Sequence, residues 1–297
     1  MAQPVSVAQS AASSRPFARK SLRDTMWRVI AYVCFSLVGL VLLLPFFWMV
    51  STSLKESGTE FAYPPQWFPV PPHPENYQDA MTLLPFMTFL KNTLIITFVN
   101  MAGGMLTASM AGYGFARLRF PFRNQLFLLC LATMMLPSVA TLIPQFIIFK
   151  TLNWINTFLP LTVPSFFGGG AFFIFLTRQF FMSIPYELEE AARIDGANSW
   201  RIFFQLMLPL SGPVLAAMAI FSFQSHWNEF LTPLIYLNDR EKYTLAIGLN
   251  SMHGLYQTNW NMLMAASAAT TLPMIVLFFA AQRHFMKGIV TTGLGGR

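Results

Sequence analysis

Apolar residues run along the chain in six long windows free of Asp, Glu, Lys and Arg: Val29–Leu54, Asn92–Ala116, Asn124–Phe149, Thr151–Thr177, Ile202–Asn228 and Tyr243–Gln282. A helix of about 20 mostly apolar residues crosses the hydrocarbon core of a bilayer, so each window predicts one span, the last using Asn261–Ala281. The expected fold class is an all-α integral membrane protein with six transmembrane helices. Basic residues precede the first window, as in a signal peptide. However, that window is longer than the roughly 7–15 apolar residues of a signal, and no small-residue cleavage site is evident before Lys55.

Between the fourth and fifth windows lies a polar island, Ile184–Pro209. Within it, Glu187–Arg201 carries four acids and two arginines, a density that hydrocarbon does not accept, so the segment faces water or protein. Pro185 suits a first helical turn, and Glu187, Glu189 and Glu190 place negative charge at the positive end of the helix dipole. A short helix is predicted to begin there. Glu189 and Arg193 stand four apart in the favourable order, with Leu188, Ala191, Ala192 and Asp195 along an adjoining face. Gly196 supplies the left-handed residue that stops a helix, and Asn198 caps a second one starting near Ser199 and entering the membrane at Leu206–Pro209.

These residues resemble a known family. Glu190-Ala191-Ala192, three residues, Gly196, nine residues, then Leu206-Met207-Leu208-Pro209 is similar to the EAA motif, EAA-x3-G-x9-I-x-LP, of permease subunits in bacterial ABC importers. Leucine stands at 206 where the motif has isoleucine. The flanking Pro185-Tyr186-Glu187-Leu188 and Ile194-Asp195-Gly196-Ala197 look like the carbohydrate, maltose-type branch. The resemblance implies a type I importer permease fold in a bacterial or archaeal cytoplasmic membrane. It also implies that Glu190, Ala191, Ala192, Asp195, Gly196, Leu206, Leu208 and Pro209 form a cytoplasmic coupling segment docking on an ATPase. Implied partners are a second homologous permease, two ATP-binding subunits that bind ATP and Mg, and an extracytoplasmic solute-binding protein. An ordinary interfacial amphipathic helix is the plainer alternative.

Composition agrees with a membrane protein: 55% of residues are hydrophobic and 10% charged, against about a quarter charged in soluble domains. The net charge of +7 admits a nucleic-acid partner until its placement is considered. With the N-terminus inside, the predicted cytoplasmic segments hold 14 of the 19 Lys and Arg residues, and the external ones hold Lys55, Lys91, Lys150, Arg240 and Lys242. That asymmetry is an orientation signal. It puts both termini and the polar island in the cytosol, independently of the motif, and leaves no case for nucleic acid.

The predicted organisation is a cytoplasmic tail (1–28), a first span (29–54), a Pro-rich external loop (55–89), a five-helix transport domain (90–282, with the EAA loop at 184–209) and a cytoplasmic C-terminal tail (283–297). Gly104, Ala108, Gly112 and Ala116 form a small-residue stripe that lets another helix approach closely. Pro137 and Pro144 in the third window, Pro160 and Pro164 in the fourth, and Gly168-Gly169-Gly170 interrupt the helical ladder; static kinks and pathway hinges both fit. Trp227, Asn228 and Glu229 combine an aromatic face with amide and carboxylate groups, the residue types a sugar-contacting surface uses, and equally those of an interfacial cluster. By resemblance, Tyr243–Leu249 belongs to an external loop reaching toward the binding protein. Gln282–Gly293 resembles the tail that enters the ATPase interface, with plain anchoring as the alternative.

No G-x-x-x-x-G-K-[ST] loop is present, so ATP must be handled by another subunit. The cores of the six windows contain no Asp, Glu, Lys or Arg, which disfavours a proton-coupled carrier, although a sodium site of carbonyls and hydroxyls escapes that test. Neither H-E-x-x-H nor G-x-S-x-G occurs, and His73, His226, His253 and His284 lack metal-ligand spacing. The chain is expected to be a non-enzymatic, cofactor-free, metal-free permease subunit for a sugar or oligosaccharide. A self-contained channel or ion-coupled carrier for small polar solutes is the alternative.

Overall fold

The structure, a computed structural model, describes residues 22–253 and 258–293, with side chains for 25–253 and 258–280. Among these residues it is helical and contains no strand. The order is α1 (Leu22–Ser53), α2 (Glu75–Leu83), α3 (Phe86–Arg117), α4 (Arg123–Ala132), α5 (Ser138–Thr151), α6 (Leu159–Thr162) and α7 (Ala171–Ser183). It continues through α8 (Glu187–Ile194), α9 (Ser199–Ile202), α10 (Leu208–Leu210), α11 (Gly212–Trp227), α12 (Leu231–Tyr236), α13 (Leu245–Ser251) and α14 (Trp260–Gly293). A π-helical segment, Phe203–Met207, joins α9 to α10. The described residues fall into two separate compact units, which divide after Trp48. In the first, the described part is the apolar body of α1. The tail expected over residues 1–28 lies largely outside the described residues.

Among the described residues, four stretches are long and apolar enough to cross a membrane: Thr25–Ser53, Phe86–Arg117, Leu159–Ser183 and Trp260–Ala280. Two further helix pairs qualify when joined, Arg123–Met135 with Ser138–Thr151, bent by 99°, and Ser199–Leu210 with Gly212–Trp227, bent by 76°. Counting each pair once gives six. The third window is thus a broken helix: Leu136 and Pro137 adopt extended backbone (ψ 120° and 131°), and α5 starts afresh after them. Pro144, by contrast, stays inside α5. The break in the fifth falls at Ser211, just before Pro213, which has no N–H to continue the ladder. There the Ser211 hydroxyl donates to the Met207 carbonyl at 2.6 Å. In the fourth window the spanning stretch begins at Leu159, because Asn153 and Asn156 take positive φ (56° and 63°) and make a turn.

α3 is the central post, packing along α7 and α11, while α11 packs on α14 and α14 on α2. The small-residue stripe makes the first of these contacts. Gly104 abuts Gly169, a Cβ on Gly112 would lie 2.1 Å from Thr177 Oγ1, and Ala108 is fully enclosed. The three glycines 168–170 all have positive φ, so the chain turns tightly against α3. Polar groups lock the contact: Asn100 Nδ2 donates to the Leu161 carbonyl at 2.9 Å, Thr177 Oγ1 donates to the Ala108 carbonyl at 3.0 Å, and Gly168 N–H donates to Thr107 Oγ1 at 3.2 Å. On α4, no residue is buried, and Leu128 and Leu129 are about two-thirds exposed (68% and 65%), as suits a helix solvated by lipid.

At the N-terminal end of α3 a polar clasp holds the segment 238–245. Asn92 Nδ2 donates to the Glu241 and Tyr243 carbonyls, at 2.8 and 3.0 Å, and Leu245 N–H donates to Thr93 Oγ1 at 2.9 Å. Asn156 Oδ1 accepts from the Asn238 and Asp239 amides, both at 3.1 Å, and its Nδ2 donates to Asp239 Oδ2 at 2.7 Å. Hydrogen bonds from Lys242 and Asn156 hold the Asp239 carboxyl below the usual carboxylate range. The expected Pro-rich loop carries one helix that its composition did not suggest, α2, anchored by buried Asn76: its Nδ2 donates to the Ser53 and Lys55 carbonyls, and its Oδ1 accepts from Asn261.

Candidate coupling site and polar cavity

The polar island folds as its residues dictate. Glu187, Glu189 and Glu190 occupy the first turn of α8 and Arg193 the last, complementing the dipole at both ends. Gly196 takes φ 80°, its N–H donating to Arg193 and that of Ala197 to Ala192, both at 3.0 Å, which is the paired closure of a Schellman stop. Asn198 Oδ1 then accepts from the Arg201 amide at 2.9 Å, capping α9. Helix, elbow and second helix all stand where the sequence placed them.

The two faces of α8 differ sharply. Glu187, Leu188, Glu190, Ala191 and Ile194 are exposed, Ile194 to 86%, whereas Glu189 is completely enclosed. Trp200 and Phe204 nearby are exposed as well, so several large apolar side chains lie open on this side of the segment. Below this face lies a cavity of about 360 Å³ lined by Leu188, Ala191, Ala192, Asp195, Ala197 and Arg201, together with Ile202, Gln205 and Leu206. Of the motif residues, Ala192, Leu206 and Leu208 are half-buried, while Glu190, Ala191, Asp195, Gly196 and Pro209 are exposed. Behind α8, Tyr113, Phe181, Ile202, Phe203 and Met207 form a buried cluster, with Tyr113 edge-on to Phe181 at 5.9 Å.

The burial of Glu189 is what the sequence did not disclose. Its Oε1 accepts from Arg193 Nη2 at 2.8 Å and from the Tyr113 hydroxyl at 3.4 Å, and its Oε2 faces Arg117 Nε at 3.9 Å. Donating this hydrogen bond to Glu189 raises the Arg193 guanidinium above its usual value. Nothing in three glutamates spread over four positions says which one turns inward; that depends on where α3 ends.

The residues singled out near the end of α11 separate. Trp227 is buried, stacks on Phe223 at 5.1 Å and donates from Nε1 to the Thr270 carbonyl at 3.1 Å. Trp227 and Asn228 border a pocket of about 410 Å³ with Thr270, Thr271 and Met274. Glu229, whose Oε1 accepts from the Thr232 amide at 3.1 Å, borders a different cavity of about 220 Å³. That cavity gathers Gln145, Ser165, Ser225, His226, Thr232 and Tyr236 from helices far apart in sequence. Polar residues within otherwise apolar helices were its only trace in the sequence. Among the described residues no group of His, Cys, Asp or Glu could hold a metal ion.

The loop expected to face a binding protein includes α13, and residues 254–257 within it lie outside the described residues. Gln282–Gly293 continues α14 in its backbone, but its side chains, and residues 294–297, lie outside them too.

Comparison with known proteins places this geometry. The family described as binding-protein-dependent transport system inner membrane component matches residues 103–290. The arabinooligosaccharides transport system permease protein AraQ of Halalkalibacterium halodurans is 38% identical over 211 residues, covering 71% of this chain and 75% of that protein. The sn-glycerol-3-phosphate transport system permease protein UgpE of Yersinia pestis is 36% identical over 208 residues, covering 69% of this chain and 73% of that protein. A bacterial ABC transporter involved in import of the acidic polysaccharide alginate shares the fold, with TM-score 0.78 and 23% identity over 89% of this chain and 98% of that one. An all-helical, multi-pass chain that matches the family model over most of its length belongs to the family of binding-protein-dependent transport system inner membrane components.

Proposed function

We propose that this chain is one permease subunit of an ATP-binding-cassette importer for a sugar or oligosaccharide. It forms half of the translocation pathway and pairs with a second permease. Two ATPases holding ATP and Mg act on the cytosolic side, and a solute-binding protein delivers substrate outside. Six spans with both termini in the cytosol follow from the basic-residue asymmetry, with residues 55–89 external and 184–209 internal.

The observation that carries this reading is the outward face of α8. It is apolar and acidic, exposed through Ile194, and set beside a cavity of about 360 Å³, so it suits insertion into a groove on another protein. Closure of an ATP-bound ATPase pair moves whatever is docked to it, and the permease pair is biased from inward-open to outward-open. On the substrate side, the cavity of about 220 Å³ provides hydroxyl, amide, imidazole and carboxylate groups suited to a polyhydroxylated solute. A sugar rather than another solute is supported by the names of its relatives, which include an arabinooligosaccharide permease.

Reconstitution tests the whole reading. The purified chain alone is expected to transport nothing, and addition of the second permease, ATPase and binding protein restores ATP-dependent uptake. Uptake by the chain alone, driven by a sodium or proton gradient, would establish the carrier alternative instead.

A further inference from the structure

Glu189 is the one buried residue of α8, and its carboxylate is fully enclosed. Burying a charge is costly unless it is paired. Tyr113 and Arg117 are one turn apart on the last turns of α3, and both address Glu189, at 3.4 and 3.9 Å. Arg117 Nη2 in turn donates to the carbonyls of Phe181 and Ile184, where α7 ends. One carboxylate therefore joins α8 to α3 directly and to α7 through a single guanidinium. The remaining residues of α8 face outward, apart from half-buried Ala192, so a load applied to this helix has few other routes inward.

The chemistry of the joint matters as much as its position. Separating opposite charges in a water-poor site is strongly resisted, over and above the apolar packing around them. We propose that Glu189 is the positioning residue through which displacement of α8 is imposed on α3 and α7, making the three move as one body. Glu190, its exposed neighbour, faces away from this joint and belongs to the docking side. The proposal rests on the reading of α8 as the docking helix, and it adds the internal half of that linkage.

The test uses the complete reconstituted importer with its ATPases, second permease and binding protein. Three quantities are measured: co-purification of the ATPase, ATP hydrolysis, and substrate accumulated per ATP consumed. E189Q is expected to assemble and hydrolyse ATP while substrate per ATP falls ~10-fold, a typical size for lost coupling. Y113F is expected to shift the ratio the same way by less, and E189D to recover part of it. An unchanged ratio in E189Q overturns the proposal, as does a parallel loss of membrane-inserted protein in E189Q and Y113F with a normal ratio in what remains, which would mark a purely structural staple. I194D separates the two levels: if it leaves the ATPase bound and coupled, the docking reading falls and the proposal falls with it. Loss of the ATPase in I194D together with a normal ratio in E189Q rejects the transmission role alone.

Discussion

Gly169 lies so tightly against Gly104 that a Cβ on Gly169 would sit 2.6 Å from the Gly104 carbonyl oxygen. One backbone rests on another, with no room for a side chain between them. The contact fixes where α7 begins and hence where its far end meets Arg117.

Substitutions along this seam should act on stability. Gly112→Ala must displace Thr177, whose Oγ1 would be 2.1 Å from the new Cβ. A cost of about 1–3 kcal/mol is expected, the usual range for overpacking. Gly114→Ala, two positions on, meets nothing within 4 Å and should behave as wild type. Thermal unfolding in detergent decides between them; equal Tm values would mean the seam is looser than described.

Trp227→Phe should lower stability without altering which substrate is carried. The indole N–H bond to Thr270 is lost, at a cost of about 1 kcal/mol. His226→Ala and Glu229→Gln, whose side chains border the other cavity, should instead reduce uptake at low substrate concentration. Uptake titrations on the three variants compare these outcomes directly, and a changed substrate preference in Trp227→Phe would reverse the assignment.

Gly196→Pro should leave membrane insertion intact while disconnecting ATP hydrolysis from uptake. Proline cannot adopt φ 80° and has no N–H to give Arg193, so the elbow between α8 and α9 must change course. A tryptophan at Ala192 should act similarly by forcing α8 off the cluster beneath it. Normal coupling in both variants would show that the elbow is not part of the linkage.

Acid should loosen the clasp at the opposite end of α3, roughly 35 Å away at 1.5 Å per residue. Asp239 has a folded pKa below its unfolded one, so its stabilisation is complete above the unfolded value, about 4, and fades as pH falls through the folded value. Asp239→Asn should therefore lower Tm at neutral pH, with the gap to wild type narrowing only in strong acid. A gap that is constant with pH would assign the effect to packing rather than charge.

Much of this architecture was written in the periodicity and the punctuation. The apolar windows marked the spans, Gly196 and Asn198 marked the elbow, and the four-residue spacing of Gly104, Ala108 and Gly112 marked the seam. Such features are legible because their causes are local: a missing N–H, a positive φ, a run of apolar residues. The inward turn of Glu189 and the assembly of Gln145, Ser165 and His226 around one cavity depend on where distant helices meet, which no local pattern records. The bends were half visible. Pro137 announced one, whereas the break at Ser211 arises where Pro213 follows a buried hydroxyl that bonds back to Met207.

The π-helical stretch Phe203–Met207 fits one residue more into its turn than an α-helix would. The wider turn closes the same circle with about one residue more, so the surplus is absorbed locally and is not passed on as rotation of the flanking segments. Deleting a single residue there would let the backbone relax into ordinary α geometry while the segments on either side keep nearly the same rotational phase. The direction of the elbow is in this sense insulated from a change of one residue in the segment behind it.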